Sequence, residues 1–226
     1  MSTTDDAENK DMYFPERLDV QTSITDLLSH RRSPRAFSDR PVEPSKLLSL
    51  FEAARWSPSS ANEQPWRFIV ATKEDTNAYE TLLSLLAEGN RRWAQRAPVL
   101  ILGAAQTSYS RNGKPYRHSW YDLGQSVASL TVEAEALGLA VHQMGGFDEI
   151  KATELLSIPK EYEPVIAIAV GYSARPEILP EDLKKREETP RSRKPLESLV
   201  FTEEWGRPSH HIDTRFSLLK NSHSTN

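Results

Sequence analysis

Three apolar, partly β-branched runs set what this chain can fold into: WRFIVAT (66–72), APVLILGAA (97–105) and PVIAIAVGY (164–172). Each has the length of a strand and too few polar positions to leave a face in water, so each predicts a strand covered on both sides. The cover must come from the segments around them. Residues 75–87 and 118–137 predict helices. In the longer one Trp120, Leu123, Val127, Leu130, Ala134 and Leu137 recur at three- and four-residue steps, Ala128 and Val132 widen the buried stripe, and Gly138 ends it. Another helix starts at Pro44, with Leu47, Leu48, Phe51 and Ala54 on one face and Pro58 at its end; a short one near 22–30 takes Thr22 or Ser23 as its cap. Helices and strands interleave irregularly, which predicts an α+β fold, a mixed β-sheet flanked by helices, over a sandwich or a bundle. One domain over 21–206 is expected, with loose tails at 1–20 and 207–226.

Composition removes several function classes. The chain of 226 residues has no cysteine, so disulfides, thiolate nucleophiles and cysteine-held metals or clusters are out. A net charge of −4 argues against nucleic-acid and anionic-membrane partners, which need a basic footprint. No apolar run approaches the ~18 residues of a membrane span. The N-terminal MSTTDDAENKDM lacks the apolar stretch of a signal peptide, so a cytoplasmic protein is expected. Neither G-x-G-x-x-G nor G-x-S-x-G occurs, which leaves a Rossmann site and a hydrolase elbow unsupported.

Against that acidic background, HRRSPRAF (30–37) gathers three arginines in five positions. Arg31, Arg32, Ser33 and Arg35 are either a solvated basic turn or a set of planar donors converging on one anion. SPSSANEQPWRF (57–68) places hydroxyls and amides between a helix and a strand; Asn62 and Gln64 offer donors and acceptors suited to a heterocycle edge, and an ordinary serine-capped turn would look the same. GLAVHQMGGFD (138–148) reads as a short strand ending in Gly145-Gly146, which admits a flat ligand close to the backbone or simply makes a tight strand-to-helix turn. PRSRKP (190–195) adds Arg191, Arg193 and Lys194. His210, His211 and Asp213 fall in the expected tail and carry no metal assignment, and His30 and His118 need no catalytic role.

Taken in order, RRSxRxF, PSSxNxQPW, the Gly-Asn pair of EGNRRW, the aromatic-Asp helix, the GGF turn and the terminal RxRK resemble the nitroreductase family of flavin enzymes over about residues 23–205. The resemblance implies an intertwined α+β homodimer with FMN at two sites between subunits. It assigns Arg31 and Ser33, with Arg32 beside them, to the FMN phosphate, joined late by Arg191 and Arg193. Arg35 faces the pyrimidine end of the flavin. Pro58, Ser59, Ser60, Asn62 and Gln64 come from the second subunit, and Asn90 lies beside the ring, with Arg91 or Arg92 as its companion. Gln143, Met144, Gly145 and Gly146 form the turn beside the reactive N5. Arg35, Gly145 and Gly146 tune the flavin, and no protein acid or base is indicated. Members often carry an acidic residue at the position of Gly145, so substrate preference is the property this departure touches.

The activity so implied takes hydride from NADH or NADPH and passes the electrons to a small electron-poor acceptor, a nitroaromatic, quinone or activated alkene, in ping-pong turns. A non-redox protein binding FMN or another phosphorylated ligand is the alternative, as is a specialised branch such as an aldehyde reductase or dehalogenase.

Overall fold

The computed structural model describes residues 22–212. The chain divides into two compact units, one up to Glu188 and one from Thr189. In the first, the elements in order are α1 (Asp26–His30), α2 (Pro44–Arg55), β1 (Trp66–Thr72), α3 (Thr76–Leu85), α4 (Glu88–Ala94), β2 (Val99–Gln106), α5 (Ser119–Ala136), β3 (Ala140–Met144), α6 (Glu149–Leu155), β4 (Tyr162–Gly171) and α7 (Glu181–Glu188).

The strands lie in the order β1-β2-β4-β3. β2 is buried along its whole length, as its unbroken apolar run requires. Its alternation divides the core into two layers: Leu100 and Leu102 join Ala167, Ala169 and Met144 under α3 and α4, while Val99 and Ile101 join Ile168 and Val170 under α2 and α5. The α+β class with a helix-flanked sheet is therefore as expected. Every described ladder is antiparallel, however, where a mixed sheet was expected. Parallel neighbours need a crossover as long as the strand. Between β3 and β4 the only α-helix is the seven-residue α6, about 10 Å long, too short to carry the chain back along ten-residue β4.

Local signals held in most places. Asp75 caps α3 and Asp148 caps α6 with side-chain acceptors. Gly138, with φ +72°, ends α5, and Leu139 N–H donates back to the Ala134 carbonyl at 2.8 Å. Four details differ from the sequence reading. The first helix is capped at Thr25, with no side-chain bond, not at Thr22 or Ser23. On α2 the buried line runs through Leu50 and Ala54 with Leu47 and Phe51 partly covered, and Leu48 is 70 % exposed on the opposite side. On α5 Leu123, Val127, Leu130 and Ala134 are buried, whereas Ala128 is exposed and Trp120 is 57 % exposed, its Nε1–H donating to Glu163 near the start of β4. The segment 88–94, not read as a helix, forms α4.

In the second unit, Phe201 pairs with Pro208, Gly206 turns the chain with φ +88°, and Ser209 is buried. Residues 207–212, expected within a loose tail, are thus tied to that hairpin; Asp213, the rest of that tail and the one at 1–20 lie outside the described residues. The His210 and His211 rings pack 4.0 Å apart, both residues are exposed, and no metal-binding group of three occurs among the described residues. No described helix is long and apolar enough to cross a membrane.

Candidate functional site

Beyond α1 the arginine segment runs extended, stitched to the end of β4 by Ser38 N–H to Tyr172 O at 2.8 Å and Ala174 N–H to Ala36 O at 2.9 Å. Arg31 donates to Ser33 Oγ at 3.2 Å. Arg32 donates to the backbone carbonyl of Glu187, and the backbone N–H of Arg35 points between both Glu187 oxygens, at 3.0 and 3.1 Å. The Arg35 guanidinium stands 3.7 Å from the same carboxylate, whose side chain is 3 % exposed. Burial and then the charge of Arg186 pull the Arg35 pKa down, Glu187 opposes them, and Arg32 adds to the repulsion.

From the other side, His142 of β3 contacts the Pro34 carbonyl through Nδ1 at 2.8 Å, its ring 4.4 Å from that of Trp93 on α4. Burial, with Arg35 and Arg186 nearby, pushes the His142 pKa down to about 4 against the pull of the Pro34 carbonyl. The imidazole is therefore neutral near pH 7 and its Nδ1–H donates, because a carbonyl can only accept.

Two residues past β3 the chain meets α4 again. The Gly146 carbonyl accepts from Asn90 Nδ2 and from Ala87 N–H, each at 3.0 Å. A Cβ on Gly146 would lie 2.9 Å from Asn90 Nδ2, while one on Gly145 would meet nothing within 4 Å. Gly145 thus opens a space and Gly146 closes a contact. Gln143 is exposed and donates to Thr131 Oγ1 at 3.3 Å; the Met144 side chain is buried in the core, so only its backbone can face a ligand. Arg92 makes a two-pronged pair with Asp182 at 2.9 Å on each arm, and Arg91 pairs with Glu88 one turn back.

Three segments far apart in sequence, Arg31–Arg35, Asn90 with α4, and Gln143–Gly146, therefore meet around β3. The segment Pro58–Gln64 is seated elsewhere, on the first turns of α5. Ser60 N–H donates at 2.9 Å to Asp122 Oδ2, buried to 2 % exposure, and the Tyr116 hydroxyl donates to the same oxygen. Ser59 Oγ accepts from Gln64 N–H at 3.0 Å, and Gln64 Nε2 donates to the Asn62 carbonyl at 3.2 Å. Ala61, Asn62 and Gln64 have φ of 55°, 54° and 51°, a conformation costly for residues with a Cβ and concentrated at ligand sites. Pro58 is exposed. In the second unit, Arg193 is exposed and donates to the Ser192 carbonyl at 2.7 Å, and Arg191 is half-buried.

Glu187, His142 and Tyr116 were not singled out from sequence. Glu187 sits in EDLKKREE, where the buried anion is marked only by standing four residues after Leu183, and one neighbour does not make a periodicity. His142 stands in a strand whose alternation gives it a face but no partner.

Comparison with known proteins bears on this arrangement. A solved oxidoreductase containing FMN superposes with a TM-score of 0.79 at 34 % identity, covering 83 % of this chain and 96 % of that one. A nitroreductase family protein from Clostridium difficile 630 has a TM-score of 0.62 at 28 % identity, covering 81 % and 99 %. A Stenotrophomonas maltophilia (strain K279a) protein, provisionally named an NADH dehydrogenase/NAD(P)H nitroreductase, is 29 % identical over 168 residues, 66 % of this chain and 85 % of its own. Residues 28–172, from the arginine segment to the end of β4, match the model of the Nitroreductase family, and the chain belongs to that family.

Proposed function

We propose that this protein is an FMN-dependent oxidoreductase that takes hydride from NADH or NADPH and reduces an electron-poor nitroaromatic, quinone or activated alkene. The observation carrying this reading is the convergence around β3 of the arginine segment, Asn90 and the Gly145-Gly146 turn. The donor set suits FMN. Arg32, Arg35 and Arg186 act together against the Glu187 carboxylate, a surplus of positive charge of the sign a phosphate needs. Open space at Gly145 suits a flat ring lying against backbone.

In this reading Arg31, Arg32 and Ser33 hold the phosphate, and Arg191 and Arg193 are assigned to it on the family resemblance alone. Asn90 spends one N–H on Gly146 and keeps its Oδ1 for the ring edge. When bound, FMN would supply the redox chemistry that links NAD(P)H to the acceptor. Arg35 offers a fixed cation to the charge that gathers at the pyrimidine end of the ring. No side chain here is assigned as proton donor to the acceptor.

The site is completed by the 58–64 segment of a second copy in an intertwined homodimer. Leu48, Trp56, Trp120 and Tyr121, all more than half exposed on or beside α2 and α5, support that assembly, since so much apolar surface on neighbouring helices favours burial against another chain.

Purification tests the reading directly. The protein should be yellow, release FMN on denaturation and scatter light as a particle of twice 25.6 kDa. With NADH or NADPH and a quinone or nitroaromatic, double-reciprocal plots should be parallel, since both substrates need the same face in turn. A colourless protein with no affinity for added FMN would refute it.

A further inference from the structure

We infer that Glu187 is a positioning residue of the flavin site: it presents Arg35 as one half of an ion pair and thereby sets how strongly the site favours reduced over oxidised FMN. The inference rests on the FMN reading above. It starts from an anomaly in α7. Glu181, Asp182, Lys185, Arg186 and Glu188 of that helix are exposed, yet Glu187 is buried beside Leu183 on the core-facing side. A carboxylate in that position is costly unless every oxygen is engaged.

All its engagements converge on one segment. Both oxygens accept from the backbone N–H of Arg35, one stands 3.7 Å from the Arg35 guanidinium, and its own backbone carbonyl accepts from Arg32. His142 holds the preceding carbonyl, that of Pro34, from β3. Arg35 is thus gripped on both sides, and its charge is presented already partly neutralised. Arg32 and Arg186 repel that guanidinium and Glu187 attracts it, so the carboxylate holds the arginine in place and also subtracts from the potential it projects.

The two effects can be separated. In Glu187→Gln the amide oxygen can still accept from Arg35 N–H, so the segment stays tethered while the counter-charge is gone. Arg35 then projects its full charge, the reduced and more negative cofactor gains, and the midpoint potential moves positive. A purely structural role predicts the opposite sign, because a loosened Arg35 helps the reduced form less.

The experiment is spectroelectrochemical titration of the FMN-loaded protein against reference dyes, with FMN dissociation constants measured in parallel. Glu187→Gln should shift the preference for reduced over oxidised FMN at least tenfold, about 30 mV in the positive direction for a two-electron couple. Glu187→Asp, which keeps the charge but withdraws it by one methylene, should shift the same way by less, and it keeps the test available if the glutamine variant does not fold. Arg35→Gln should shift the potential negative, because the cation is lost while the Glu187 charge remains. A potential unmoved or moved negative in the Glu187 variants that bind FMN overturns the inference and leaves the cofactor reading standing. A wild-type protein that takes up no FMN overturns both.

Discussion

Replacing Gly146 by alanine puts a methyl group 2.9 Å from Asn90 Nδ2, with the next neighbour, Ala87 Cβ, at an ordinary 3.6 Å. The clash is with the end of a flexible side chain, so Asn90 turns away and its 3.0 Å bond to the Gly146 carbonyl breaks, while that from Ala87 N–H survives. Losing one hydrogen bond costs about 1 kcal/mol. Against it, alanine restricts the unfolded chain and returns roughly 0.4–1 kcal/mol, since the φ of Gly146 is not in the left-handed region. The net change in stability is near zero. In an Asn90→Ala background there is nothing to displace, so the same glycine replacement should stabilise by the full ~0.4–1 kcal/mol. The two backgrounds should therefore differ by about 1 kcal/mol, within the range of coupling energies for contacting residues. Urea midpoints of the four proteins measure this coupling. Flavin titration should show Gly146→Ala weakened about tenfold, ~1.4 kcal/mol, as Asn90 leaves the ring position. Equal effects of Gly146→Ala in the two backgrounds would refute the contact, and unchanged FMN affinity would remove Asn90 from the site.

Gly171→Ala drives a Cβ to 2.5 Å from Pro98 Cδ and 3.2 Å from Phe37 Cδ1, both rigid core groups, and should destabilise by about 3 kcal/mol, which calorimetry would read as a clear fall in Tm; a variant as stable as wild type contradicts the packing. Arg31→Ala and Arg193→Ala should each raise the FMN dissociation constant by roughly one to two decades, the worth of a charge-assisted phosphate contact of about 1.5–3 kcal/mol, and unaltered binding in both would sink the assignment. His142 gives a pH signature: the unfolded chain takes up its proton near 6.5 and the folded one only at about 4, so between these values the unfolded state binds more protons and stability falls as pH falls. The full loss is of order 3 kcal/mol, and denaturant unfolding across that window should slope less in His142→Phe than in wild type; parallel slopes would show the imidazole to be open to protons in the fold.

Local chemistry alone was enough for much of this protein. β2 and the second half of β4 were legible because a segment buried on both faces cannot carry polar residues. But β1, also expected to be covered on both sides, is an edge strand with Arg67 and Val70 exposed and only Trp66 and Ala71 buried. The end of α5 was legible because Gly138 is needed for a left-handed turn, and the order of short motifs pointed to the family before any coordinates. Among neighbouring leucines, though, Leu50 rather than Leu48 enters the core, a choice set by where α5 crosses α2 and not by composition. Helix α4 hid in EGNRRWA because seven residues with one large apolar side chain show no periodicity. Arg35 was visible as a cation, but its partner is a carboxylate 152 residues away in a helix that looks wholly solvated. Propensity, caps and burial are properties of adjacent residues and are written along the chain; which anion meets which arginine depends on how α7 returns to the arginine segment, and only the folded structure decides that.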